Sequence, residues 1–123
     1  MSQSLTGTPR TYRTETLADE PRIVSEEDDV RSILTALNDA DCRTILEELG
    51  DSDAYLSASE LSDRCDVPLS TTYRKLELLE DADLLEEKLR IRQSGRHASE
   101  YDQRVDGIRI SVDGEDGVAL ELS

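Results

Sequence analysis

The sequence predicts one α+β domain, helical in its first part and built of paired strands in its last. Three observations carry this expectation. Apolar residues between Val30 and Leu79 recur at the i, i+3, i+4, i+7 spacing of amphipathic helices. From Leu84 onward the period drops to two, as in a half-buried strand. The length, 123 residues, suits a single small domain with a tail.

Residues 1–24 are rich in Ser and Thr, contain Pro9 and Pro21 and show no sustained apolar period, so they read as a disordered N-terminal arm. Arg10 and Arg13 give that arm the means to reach a DNA minor groove. Ser25-x-x-Asp28 resembles a capping box, and Glu26 to Asp29 place acid where a helix dipole favours it. Val30, Ile33, Leu34 and Leu37 form the apolar stripe of the first helix. Asn38 and Asp39 cap a second helix, about 39–49, with Cys42, Ile45, Leu46 and Leu49 on one face and Gly50 as its stop. Ser57-x-x-Glu60 is a second capping box and opens a third helix that ends near Cys65. Past Asp66, Val67 and Pro68, a fourth helix covers about 69–81, with Leu69, Thr72, Leu76 and Leu79 inward. At 100° per residue, the opposite face centres on Arg74, flanked by Ser70 and Thr71.

In the next segment Lys88, Arg90 and Arg92 alternate with Leu89 and Ile91, a strand with one basic face. Gln93 to His97 make the turn, and Tyr101, Gln103 and Val105 the return strand. Ile108, Ile110 and Val112, then Val118, Leu120 and Leu122, flank a Gly-rich turn and predict a second hairpin at 107–123. Helices with a three- or four-residue turn between the second and third, followed by a β-hairpin, make a winged helix-turn-helix over residues 25–106. The C-terminal hairpin either extends the wing sheet or supplies a dimer contact.

Formal charge is −15, from 29 acidic against 14 basic residues. Twelve of the basic residues are Arg and two are Lys, and Phe and Trp are absent. Such a composition suits a salt-rich cytoplasm, in which an acidic surface stays hydrated and its self-repulsion is screened. The acid is unevenly placed. Residues 25–64 carry twelve acids and three Arg, whereas 88–104 carry Lys88, Arg90, Arg92, Arg96 and Arg104 against Glu100 and Asp102. Positive potential is thus confined to the wing, where Arg90, Arg92 and Arg96 suit a phosphate backbone and His97 sits at the tip as a phosphate-contacting or solvent-facing side chain.

Enzyme chemistry finds little footing. One histidine and two cysteines provide neither a catalytic triad nor zinc-ligand spacing, so no catalytic residue, metal or cofactor is expected. Cys42 and Cys65 occupy apolar helix positions and read first as small core residues; a redox pair is the competing role. No segment has the roughly 18 consecutive apolar residues of a membrane span, and no secretory signal opens the chain, so a cytoplasmic location is expected.

The stretch Leu69-Ser-Thr-Thr-Tyr-Arg-Lys-Leu-Glu-Leu-Leu-Glu-Asp-Ala-Asp-Leu-Leu85 resembles the recognition helix and wing start of ArsR-type winged-helix regulators. About 28–105 is similar to the short winged-helix regulators common in salt-loving archaea. The family's polar-x-Arg-basic-Leu pattern, followed by Leu before Ala-Gly-Leu, meets Thr71, Thr72, Tyr73, Arg74, Lys75, Leu76, Leu79, Ala82 and Leu84. Asp83 stands where the family has a left-handed Gly, and the thiolate motif of the metal-sensing branch is missing, so metal sensing is not implied. The resemblance implies that Ser70, Thr71, Tyr73, Arg74 and Lys75 face the major groove of duplex DNA, with Arg74 on a guanine edge or a phosphate. It also implies a transcriptional regulator, and a homodimer follows because one module reads few base pairs. The alternative is a winged helix that binds protein without DNA, which the net charge favours.

Overall fold

The computed structural model describes residues 21–91, 97–115 and 117–123. Among the described residues ten elements follow one another: β1 (Arg22–Val24), α1 (Glu27–Leu37), α2 (Ala40–Asp51), β2 (Leu56–Ser57), α3 (Ala58–Cys65), α4 (Leu69–Asp81), β3 (Leu85–Ile91), β4 (His97–Gln103), β5 (Ile108–Asp113) and β6 (Gly117–Leu122). The α+β winged helix-turn-helix architecture is the expected one, and four helices pack under two separate antiparallel sheets.

Local chemistry accounts for most boundaries. The Asp39 carboxylate accepts from the Cys42 amide at 3.0 Å and caps α2. Ser57 and Glu60 form the reciprocal capping box of α3, at 3.1 and 2.9 Å. Asp66 ends α3 in the left-handed conformation, φ 57°, and the three-residue turn Asp66-Val67-Pro68 leads into α4. Asp83 is also left-handed, φ 62°, the geometry expected of a residue standing in a glycine position.

Some expectations fail at the helix ends. Glu26, not Ser25, is the residue before α1, and no side chain caps that helix; four acids in a row satisfy the dipole without it. The second helix continues through Gly50 to Asp51, because extended Ser52 terminates it. Leu69 is 41% exposed, since the first turn of α4 projects beyond the core, and the inward face is Thr72, Leu76 and Leu79.

The core joins Ile33 and Ala36 of α1, Ile45 and Leu49 of α2, Leu61 of α3, Leu76 and Leu79 of α4, then Leu84, Tyr101, Leu120 and Leu122. Both hairpins therefore insert side chains into one helical core. Thr72 is its one fully buried polar residue among those described, and its hydroxyl donates to the Pro68 carbonyl at 3.1 Å.

The sheets hold the largest corrections. The wing sheet runs β2-β4-β3, with Leu56 opposite Tyr101 and Lys88 opposite Glu100. The C-terminal hairpin does not extend it. β5 and β6 instead make a second sheet in the order β1-β6-β5, with Arg22, Ile23 and Val24 opposite Leu122, Glu121 and Leu120. Residues 22–24, assigned above to a disordered arm, are thus a paired strand. Residues 1–20 of that arm lie outside the described residues.

Candidate nucleic-acid interface

Burial of Thr72, Leu76 and Leu79 fixes the roll of α4. Ser70, Tyr73 and Arg74 are consequently exposed and Thr71 is half-buried, with Arg74 Nη2 donating to Thr71 Oγ1 at 3.2 Å. Pro68 stands just before the helix, which has no side-chain cap. A hydroxyl, an aromatic ring and a guanidinium therefore share one outward face.

Lys75 is placed differently. Its Nζ lies 2.5 Å from Asp39 Oδ2, and both side chains are mostly covered. The ammonium beside Asp39 holds that carboxyl below the usual carboxylate range, and the carboxylate in turn raises the lysine. Lys75 accordingly ties α4 to the cap of α2 and is not offered outward as Arg74 is. The Cys42 thiol, donating to the Lys75 carbonyl at 3.8 Å, makes a second link at the same crossing.

On the wing, register puts Lys88 and Arg90 on one face, as alternation requires. Both already have partners. Arg90 Nη1 meets Glu100 Oε2 at 2.7 Å, where the carboxylate is 7% exposed and the guanidinium 62%. Lys88 Nζ lies 4.2 Å from the centre of the Tyr55 ring, whose hydroxyl donates to Glu86. Arg92 and Arg96 lie outside the described residues, as does the side chain of His97, whose backbone opens β4 opposite Ile91. Tyr73 and Arg90 line a common cleft with Ser59 and Ser99, which brings the α4 face and the wing together.

The sequence left two anchors unread. Asp83, just past the end of α4, receives Arg22 at 3.2 Å and Arg104 at 3.1 Å, so β1 and the segment after the wing are both pinned there. Glu100, buried on β4, sets the position of Arg90. Neither pairing has a signal in spacing, because the partners are 10 to 61 residues apart.

Cys42 is buried, and burial pushes its thiol up to about 11; Cys65 is half-buried and also raised. Neither favours the thiolate that redox chemistry uses. Among the described residues no group of three His, Cys, Asp or Glu side chains is arranged for a metal.

Comparison with known proteins agrees with this geometry. Residues 28–88 match a family described as a helix-turn-helix domain. In the helix-turn-helix domain so matched, α3 and α4 are the paired helices and β3 supplies the first wing strand. A possible transcriptional regulator from Methanosarcina mazei Go1 is 23% identical over 59% of this chain, with a TM-score of 0.49; the match spans 62% of that chain. NolR from Sinorhizobium fredii is 14% identical, with a TM-score of 0.52 and 84% of each chain covered, a likeness of fold. No curated protein matches the chain. No helix among the described residues is long and apolar enough to cross a membrane.

Proposed function

We propose that this helix-turn-helix domain is a sequence-specific, DNA-binding transcriptional regulator of the ArsR-like type, acting as a homodimer in the cytoplasm. The observation that carries the reading is the outward face of α4, where Ser70, Tyr73 and Arg74 stand opposite the buried Thr72, Leu76 and Leu79. In this reading α4 enters the major groove and Arg74 makes the base contact, the commonest specific pairing being arginine with guanine. The uncapped first turn of α4 suits a phosphate, as helix N-termini do. The wing, from Arg90 through Arg92 and Arg96 to His97, lies along the backbone and positions the protein without reading bases.

Arg74→Ala tests this directly. The variant keeps the circular dichroism and melting temperature of the parent and loses about 1–3 kcal/mol of specific binding in a gel shift against a selected duplex. Equal binding by parent and variant would remove α4 from the groove.

A protein-binding winged helix is the second reading. It is favoured by the pairing of Lys75 with Asp39 and of Arg90 with Glu100, which removes free positive charge from a chain of −15. Salt separates the two, since phosphate contacts weaken steeply as salt rises. The acidic surface also supports a halophilic setting. Dialysis into dilute buffer is expected to lower helical circular dichroism as acid in α1 and α2 repels unscreened; full helicity there would tie the acid to a partner instead.

A further inference from the structure

The sheet β1-β6-β5 ends on one side in β5, a six-residue strand, and among the described residues no strand pairs with its outer edge. Proteins ordinarily shield such edges with lysine, proline or a bulge. Here the strand reads Ile-Arg-Ile-Ser-Val-Asp, and Ile110 and Val112 are exposed, at 55% and 73%. Register places Ile110 beside Leu120 and Val112 beside Val118, so all four lie on the face whose other end is buried against the helices. That face does not close. Between it and α1 runs a groove of about 890 Å³ whose apolar side is lined by Val30, Leu34, Leu37, Ile110 and Val118, with Glu27 and Arg31 among its polar residues. Leu34 and Leu37 belong to the apolar stripe of α1, yet the core takes Val30, Ile33 and Ala36 and leaves those two half-buried.

We infer that the outer edge of β5, with the apolar groove behind it, binds β5 of a second copy of this chain across a two-fold axis, joining two three-stranded sheets into one of six. This rests on the homodimer of the proposed function and specifies the surface that makes it. Charge favours a second copy as the occupant. The chain carries −15, so most faces of two copies repel, but residues 107–112 contain one charged side chain, Arg109. An antiparallel pair centred on Ser111 sets Arg109 opposite the partner's Asp113, and its symmetry mate does the same. The same register sets Ile110 opposite the partner's Val112, which continues the apolar face across the axis and over the open side of the groove. A shift of one residue would break that match of faces.

The test uses the full chain in high salt. The parent sediments as a dimer, and Val112→Lys, a change at an exposed position, sediments as a monomer with unchanged circular dichroism. Ile23→Lys, exposed on the outer face of the same sheet, stays dimeric. In a Cys65→Ser background, Ser111→Cys gives a disulfide-linked dimer under mild oxidation, because residues facing each other across an antiparallel pair approach to about 4.5–5.5 Å. A monomeric parent, a dimer indifferent to Val112→Lys, or no cross-link from Ser111→Cys each overturns the inference and gives the edge to another occupant, residues 1–20 of the same chain included. Retention by a pool of duplex DNA is measured separately. A cross-linked dimer that ignores DNA upholds this interface and defeats the DNA reading; a monomer that still binds DNA does the reverse.

Discussion

The wing sheet and the terminal sheet have the same number of strands and the same antiparallel pairing, but they meet the helices and the solvent in opposite ways. The wing sheet anchors through Leu56, Leu85 and Tyr101, and its other face carries Lys88 and Arg90, each held by a partner, Arg90 by the buried Glu100 of that same face. The terminal sheet anchors through Leu120 and Leu122 and leaves Ile110, Val112 and Val118 to solvent. The first face is charged and internally paired, whereas an apolar edge suits another protein surface. One core thus supports two surfaces of different chemistry.

The largest effect expected from this contrast is at Leu120, which is fully buried where β6 meets α1. Leu120→Ala should cost about 2–5 kcal/mol in chemical denaturation, since a cavity opens where the terminal sheet enters the core. Leu89→Ala, at a 60% exposed position on the wing, should change stability by no more than about 0.5 kcal/mol. Similar losses in both variants would mean that the two sheets are equally embedded.

A smaller effect is expected where α4 meets the wing. Glu80 and Glu87 share a hydrogen bond, and burial together with the neighbouring carboxylate pushes Glu80 up to about 7 while Glu87, bonded also to Ser99, is lowered. The folded state therefore holds a proton on Glu80 that the unfolded chain releases near the ordinary value of 4.5. Its contribution is complete below that value and is lost as pH climbs to about 7. Glu80→Gln keeps a donor for Glu87 at every pH, so the variant should melt higher than the parent above pH 7, by about 1 kcal/mol after allowance for partial exposure. Parallel melting curves from pH 5 to 8 would show that no proton is shared.

The smallest effect concerns the thiols, which lie under neither outward surface. Mild peroxide should leave both melting and DNA binding unchanged, because Cys42, raised to about 11, holds almost no thiolate. Reversible loss of binding that either Cys42→Ser or Cys65→Ser abolishes would make the pair a sensor.

What the sequence made legible follows the range of the interactions involved. The capping box of Ser57 and Glu60 and the span of α4 depend on residues within a few positions of one another, and both are where they were expected. Asp83 adopts the left-handed geometry that its place in the pattern demanded. β1 could not be read, because three residues after a Pro-containing tail become a strand through pairing with β6, about a hundred positions away. The same holds for β2, two residues paired with β4. At the candidate interface, the exposure of Arg74 followed from helix periodicity, but the engagement of Lys75 depended on Asp39, 36 positions earlier. Periodicity tells which way a side chain points; what waits there is set by the fold.

Asp83 has a consequence of its own. One carboxylate, immediately past α4, binds Arg22 through one oxygen and Arg104 through the other. The first strand of the terminal sheet and the segment leaving the wing thus share a single clasp at the C-terminal end of α4. A glycine there would relax the backbone and release both arms, so this one carboxylate is what joins the end of α4 to the first strand of the terminal sheet and to the segment leaving the wing.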